Sequence, residues 1–133
     1  MSPVFLDTVG LLAIWDEDDQ WHHAASAAFA GVMRERAALL TTTFVLAECA
    51  NATARSVLRA SVVDLRALLD SYAGLLHPST VDFEDAWRRF RAGHPGSPGL
   101  VDELSFVVMR RLGLRRAFTN DRHFTDAGLE PMF

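Results

Sequence analysis

The chain has 133 residues and a formal net charge of −4, and half of its residues are hydrophobic. This length suits one domain with one core, and the composition excludes a disordered chain. No apolar run approaches the roughly 18 residues of a membrane span, so we expect residues 1–133 to form a single domain that does not cross a membrane.

Residue usage excludes several kinds of chemistry. All 13 basic residues are arginine, so reactions that need a lysine, such as Schiff-base formation or P-loop phosphate binding, are excluded. A single cysteine, Cys49, excludes internal disulfides and zinc sites built from several cysteines. The first residues do not resemble a secretory signal, and we expect a cytoplasmic protein.

Short apolar runs alternate with amphipathic stretches in the first part of the chain. The run at 3–6 predicts a buried strand, and the helix that follows is predicted to face inward through Val9, Leu12 and Leu11. The predicted elements up to residue 77 are a strand at 3–6, helices at 8–15 and 20–36, a strand at 38–41, helices at 44–55 and 61–72, and a strand at 74–77.

The remaining elements follow the same alternation. Asp82 and Asp85 have the spacing of a capping pair and predict a helix at 82–91. A strongly apolar helix is predicted at 100–112, with Gly113 as the glycine that ends it. Strands are predicted at 116–119 and 130–133.

This order of elements predicts the fold class. Alternating strands and helices form a mainly parallel sheet covered on both faces, which is a three-layer α/β/α sandwich. Ligands of such sheets bind at the carboxyl ends of the strands. The residues that follow the strands are therefore the candidates for function.

Four acids occupy such positions. Asp7 and Asp121 follow predicted strands, while Glu48 and Asp102 lie in the first turns of predicted helices. Each could cap a helix, but Glu48 has apolar neighbours, and burying a lone carboxylate is costly. Clustered carboxylates repel one another unless cations neutralise them, and a site with oxygen ligands alone favours Mg²⁺ or Mn²⁺.

Four segments of the chain resemble a known family. They are VFLDT at 4–8, VLAE at 45–48, LVDELSF at 100–106 and FTNDRHF at 118–124. In this order they resemble the four acidic motifs of the PIN domain, and most closely those of the VapC-like ribonuclease toxins of bacterial toxin–antitoxin pairs.

The resemblance implies a fold, an activity and partners. It implies an α/β/α sandwich that cleaves RNA with Mg²⁺ or Mn²⁺, forms a homodimer and binds a cognate antitoxin. By motif match, the metal-binding and catalytic acids are Asp7, Glu48, Asp102 and Asp121. Thr8 and Thr119 match positions where the family often has a hydroxyl that supports those acids.

Further residues are candidates for contacts with RNA or with a partner protein. Asn51 and Arg55 follow Glu48 at helical spacings, and Arg122 adjoins Asp121, so all three could reach an RNA phosphate. Alternatively, each of the three is a solvated surface residue that does not contact RNA. Three aromatic residues could line an antitoxin groove or pack in the core: Trp15, Trp21 and Phe29.

Two other functions compete with the ribonuclease. A non-catalytic PIN module would act through protein–protein contacts, but such a scaffold does not need clustered carboxylates. A receiver-type phosphoacceptor domain would also have acids at strand ends, but it needs a lysine and a second acid beside Asp7, and this chain has neither.

Overall fold

The computed structural model describes residues 2–133. Its strands are β1 (Val4–Leu6), β2 (Leu39–Thr42), β3 (Leu75–Leu76), β4 (Arg116–Phe118) and β5 (Glu130–Pro131). Its helices are α1 (Thr8–Trp15), α2 (His22–Glu35), α3 (Thr43–Thr53), α4 (Arg59–Asp70), α5 (Thr80–Ala92), α6 (Leu100–Leu112) and α7 (Arg122–Asp126).

The five strands form one parallel sheet in the order β3-β2-β1-β4-β5, flanked by helices. The predicted α/β/α class is confirmed. Strand β1 lies at the centre, where Val4 pairs with Leu39 on one side and with Arg116 on the other. All three β1 residues are fully buried, as a strand covered on both faces requires.

The order of the strands determines where a ligand can bind. The chain runs outward from β1 through β2 to β3, then returns to the other side of β1 for β4 and β5. The switch in direction therefore lies between β1 and β4. In open parallel sheets, the crevice at the carboxyl ends of such a strand pair is the usual ligand site.

Several predicted boundaries move because of local hydrogen bonds. Helix α5 begins earlier than predicted, because Ser79 and Asp82 form the capping box, not Asp82 and Asp85. Asp82 is nearly buried, and two hydrogen bonds from Arg111 attach it to α6. Gly113 ends α6 in the left-handed conformation at φ 70°, as predicted.

Helix α1 faces the core through the predicted Leu11 but not through the predicted Val9. Leu11 and Ala13 are buried, whereas Val9 is 37% exposed. Gly10 faces β4 so closely that an added Cβ would overlap the Phe118 carbonyl and ring. Close packing of α1 on β4 thus sets which face is buried. Within residues 2–133, no helix has the length and apolar character to cross a bilayer.

Candidate metal centre

Asp7 lies at the carboxyl end of the central strand. It is 2% exposed and occupies the N-cap position of α1 without capping the helix through its side chain. Its carboxylate instead accepts a hydrogen bond from Thr119 Oγ1, with Oδ2 2.8 Å away. Burial raises the pKa of the Asp7 carboxyl to about 6, although the Thr119 hydrogen bond lowers it.

Asp121 is held beside Asp7 from the neighbouring strand. It caps α7, and its Oδ1 accepts a hydrogen bond from the His123 amide at 2.9 Å. The Asp121 amide in turn donates to Thr119 Oγ1 at 3.1 Å. Thr119 therefore links the two residues, and the charge of Asp121 adds a smaller contribution to the raised pKa of Asp7.

Glu48 differs from the prediction, because its side chain is exposed and not buried among apolar neighbours. Helix α3 packs through Val45 and Cys49 and turns Glu48 outward. Its Oε1 accepts a hydrogen bond from Thr8 Oγ1 at 2.6 Å. The argument from the cost of burying Glu48 was therefore wrong, although the residue does face the other acids.

Asp102 completes the group from the first turn of α6. Its pKa is raised to about 7, first by burial and then by the charges of Asp7, Asp121 and Glu48, in that order. Mutual repulsion of this kind requires that the carboxylates lie near one another. The structure thus brings the four predicted acids to the same edge of the sheet.

His123 also lies in this group, although sequence reasoning assigned it no chemistry. One ligand atom each from Asp102, Asp121 and His123 lies within 4.8 Å of the others. The Nδ1 atom of His123 is 3.2 Å from Asp121 Oδ1, and its Nε2 atom is 3.0 Å from the Gly96 carbonyl oxygen. The Gly96 carbonyl is the main cause of the raised pKa of His123. Only the fold brings residues 96 and 123 together, so sequence spacing could not identify this contact.

Two threonine hydroxyls lie beside the acids. Thr8 donates to Glu48, and the fully buried Thr119 bridges Asp7 and Asp121. Both hydroxyls bond carboxylates, and such hydrogen bonds stabilise the ionised forms.

The proposed RNA-contact residues are less closely tied to the acids. Asn51 is exposed and lines a shallow cleft between α3 and α4. Arg55 lies beyond the end of α3 at Thr53, so the predicted helical stripe from Glu48 to Arg55 is interrupted. Arg122 is the exposed first residue of α7, directly after Asp121.

A divalent cation fits this arrangement. Carboxylates with raised pKa values are destabilised in their ionised form, and a bound cation would remove that penalty. The His123 imidazole lies beside the carboxylates, so a nitrogen atom is a possible donor in addition to the carboxylate oxygens. Such a mixed set suits Mn²⁺ and other transition metals as well as Mg²⁺.

Comparison with known proteins agrees with this geometry. The family model of the PIN domain matches residues 4–129. A search of curated proteins found no match. Among solved structures, the chain is similar to VapC20 of Mycobacterium tuberculosis, described as a sarcin–ricin loop cleaving toxin, with a TM-score of 0.79 and 25% identity over 95% of each chain. The match spans all four acids and both supporting threonines, and the chain belongs to the PIN domain family.

Proposed function

We propose that this chain is a divalent-metal-dependent endoribonuclease and the toxin of a toxin–antitoxin pair. The observation that carries the proposal is the meeting of four acids at the switch point of the sheet, two of them with strongly raised pKa values. The family match and the likeness to an RNA-cleaving toxin support the same activity.

The acids would hold the cation, and neighbouring groups would keep them in position. Asp7, Asp102 and Asp121 would supply ligands, with Glu48 at the exposed side of the site. A bound divalent cation supplies Lewis acidity toward a phosphodiester and the water that attacks it. Thr119 fixes the separation of Asp7 and Asp121, and Thr8 orients Glu48.

RNA would approach from the exposed side of the site. Glu48 and Arg122 are both exposed, whereas Asp7 lies at the buried end. We propose that Arg122 donates to an RNA phosphate, and that Asn51 and Arg55 contact more distant parts of the strand. Mg²⁺ or Mn²⁺ is the proposed ion.

The proposed partners are a cognate antitoxin and a second copy of the chain in the cytoplasm, with residues 1–133 acting as one PIN domain. An apolar groove between α1, α2 and α4, lined partly by Trp15 and Phe29, is the surface we assign to the antitoxin. Trp21 is 47% exposed and lies outside that groove.

Replacement of Asp7 by asparagine tests the ribonuclease proposal. We expect Asp7→Asn to lower the rate of Mg²⁺- or Mn²⁺-dependent cleavage of an RNA hairpin by on the order of a hundredfold or more. Loss of a residue that only hydrogen-bonds a metal ligand already costs about 10–100-fold in activity, and loss of a ligand should cost at least as much. The metal-free variant should unfold at a temperature equal to or above that of the wild type, since a buried charge is removed.

Asp18→Asn is the matched control, because Asp18 is exposed in the turn between α1 and α2. It should leave cleavage unchanged. Full cleavage by pure Asp7→Asn protein would refute the role of Asp7 in metal-dependent cleavage, whereas absence of cleavage by the pure wild-type protein would favour the non-catalytic module.

A further inference from the structure

The loop between α5 and α6 is exposed and is held in shape by its own hydrogen bonds. It comprises residues 93–99, with glycine at 93, 96 and 99 and proline at 95 and 98. The Ser97 amide donates to the His94 carbonyl at 2.9 Å, and Ser97 Oγ accepts from the His94 amide at 3.0 Å. These bonds give the loop a defined turn, but they do not attach it to the rest of the molecule.

One hydrogen bond joins this loop to a distant part of the chain. Nε2 of His123, in α7, lies 3.0 Å from the Gly96 carbonyl oxygen. A carbonyl oxygen can only accept, so Nε2 carries a proton and donates it to this bond. Within residues 2–133, no other hydrogen bond links residues 94–98 to another helix or strand. His123 is therefore the polar contact that anchors the loop.

The backbone of Gly96 has a conformation that glycine alone adopts readily. Its φ is 97°, a value that residues with side chains rarely adopt. A Cβ added at this position would meet no atom within 4 Å, so backbone conformation and not crowding requires the glycine. The direction of the Gly96 carbonyl depends on that conformation. Replacement of Gly96 should therefore turn the carbonyl away from His123.

The loop leads directly into the helical turn that carries Asp102. Gly99 is the N-cap of α6 and offers no side chain to cap the helix, and Asp102 lies in the first turn. Helix ends without side-chain caps tend to fray. The other nitrogen of the His123 ring, Nδ1, is 3.2 Å from Asp121 Oδ1. The ring thus connects Asp121 with the segment that precedes Asp102.

We propose that His123 is a positioning residue, which anchors the 93–99 loop to α7 and so holds Asp102 at the distance from Asp121 that a divalent cation requires. The proposal rests on the metal site of the proposed ribonuclease and adds a residue that acts on the cation through its ligands. Groups that orient metal ligands in this way contribute about 10–100-fold to metal affinity.

Direct binding of the cation by His123 is the competing role. Both ring nitrogens already have a protein oxygen within hydrogen-bonding distance, so the ring is engaged with two segments of the chain. The two roles place different demands on the side chain. A metal ligand must keep an imidazole nitrogen, whereas an anchor for the loop needs only a donor at the position of Nε2.

Two conservative replacements of His123 separate these roles. The glutamine amide nitrogen is the same number of bonds from Cα as Nε2 of histidine, whereas the asparagine amide nitrogen extends only as far as Nδ1. In calorimetric titrations of the full chain with Mn²⁺, His123→Ala and His123→Asn should raise the dissociation constant about tenfold or more. His123→Gln should keep a dissociation constant close to that of the wild type, because it can still donate to Gly96.

Cleavage of an RNA hairpin provides a second measurement on the same variants. At a fixed Mn²⁺ concentration below saturation, His123→Ala should lower kcat and leave the KM for RNA nearly unchanged, because the proposed role involves no contact with RNA. His123→Gln should recover most of the lost kcat.

Replacement of Gly96 tests the same contact from its other side. Gly96→Ala should weaken Mn²⁺ binding as much as His123→Ala does. The double variant G96A/H123A should bind no more weakly than either single variant, since the two changes remove one shared contact.

Gly113→Ala is the matched control for Gly96→Ala. Gly113 also has a positive φ, of 70°, and open space around an added Cβ, but it lies at the opposite end of α6. Gly113→Ala should cost stability and leave Mn²⁺ affinity unchanged. Circular dichroism should show that all the variants are folded.

Mn²⁺ affinity is measured without RNA, which separates this proposal from the ribonuclease activity. If the variants bind Mn²⁺ in the expected order but the wild type cleaves no RNA, the anchoring role is supported and only the ribonuclease proposal fails. Loss of Mn²⁺ affinity in His123→Gln would overturn the anchoring role in favour of direct ligation. Unchanged affinity in His123→Ala, additive losses in G96A/H123A, or a wild type that does not bind Mn²⁺ would overturn it as well.

Discussion

Thr119 connects two of the four acids through one hydroxyl group. It is fully buried, donates to Asp7 Oδ2 and accepts from the amide of Asp121. The donated hydrogen bond stabilises the ionised form of Asp7 and opposes the effect of burial on its pKa. A single side chain therefore holds Asp7 in position and lowers the pKa that burial raises.

Replacement of Thr119 by valine should alter both properties. Without the hydroxyl, the pKa of Asp7 should rise further above its present value of about 6. The acid limb of the pH profile for RNA cleavage should then move to higher pH, and stability above pH 7 should fall by about 1–3 kcal/mol. Cleavage rates from pH 5 to 9 and urea unfolding at pH 7.5 measure the two effects.

Thr53→Val is a suitable control, because Thr53 is buried and its hydroxyl donates only to the carbonyl of Cys49. It should cost stability without moving the pH profile. An unchanged profile for Thr119→Val would show that Thr119 does not control Asp7.

Contact between helix α1 and strand β4 controls the distance between Asp7 and Thr119. Asp7 precedes α1, and Thr119 follows β4, so the hydrogen bond between them depends on how closely these elements pack. Gly10 permits the close approach, because any side chain there would overlap Phe118. The glycine is a requirement of packing and not of backbone conformation.

Gly10→Ala should move helix α1 away from strand β4, because the added methyl group would overlap Phe118. Overpacking of this kind costs about 1–3 kcal/mol of stability, and the longer Asp7–Thr119 distance should also slow cleavage. Gly31→Ala provides the comparison. Gly31 lies within α2, and a methyl group there meets only the end of the Arg34 side chain. Gly31→Ala should be neutral or slightly stabilising. Equal melting temperatures for the two variants would contradict the packing argument.

Burial of the acids, together with their mutual repulsion, affects the stability of the whole molecule. In the metal-free protein, the pKa values of Asp7 and Asp102 are raised from 3.8 to about 6 and about 7. A carboxyl with a raised folded pKa contributes stability below its unfolded pKa and loses that contribution as the pH rises through the folded value. Metal-free protein should therefore lose stability between about pH 4 and pH 7.

Divalent cations should restore this stability. At 100 times its dissociation constant, a ligand that binds only the folded state adds about 2.7 kcal/mol, or roughly 5–10 °C in melting temperature for a chain of this size. The increase should be larger at pH 7.5 than at pH 5.5, because protons compete for the carboxylates. Melting curves in EDTA, Mg²⁺ and Mn²⁺ at both pH values measure it.

Asp102→Asn should abolish most of the metal effect and should melt at or above the wild-type temperature in EDTA. If millimolar Mg²⁺ or Mn²⁺ does not change the melting temperature of the wild type, a shared cation site is excluded.

The sequence by itself determined the class of fold and the positions of the acids. Buried parallel strands are continuous apolar runs, and their short length places the next polar residue at the edge of the sheet, so Asp7 and Asp121 could be identified from their neighbours alone. The motifs around Glu48 and Asp102 completed the set by resemblance. These features are local, and local patterns are visible in a sequence.

Tertiary structure decided what depends on contacts between distant segments. Glu48 is exposed because α3 packs through Val45 and Cys49, and His123 joins the acids because the loop at Gly96 reaches it. The short helix α7 and the true capping pair of α5 also depend on hydrogen bonds that hydrophobic periodicity does not report. Raised pKa values follow the same rule, since burial and the approach of other charges are properties of the folded chain.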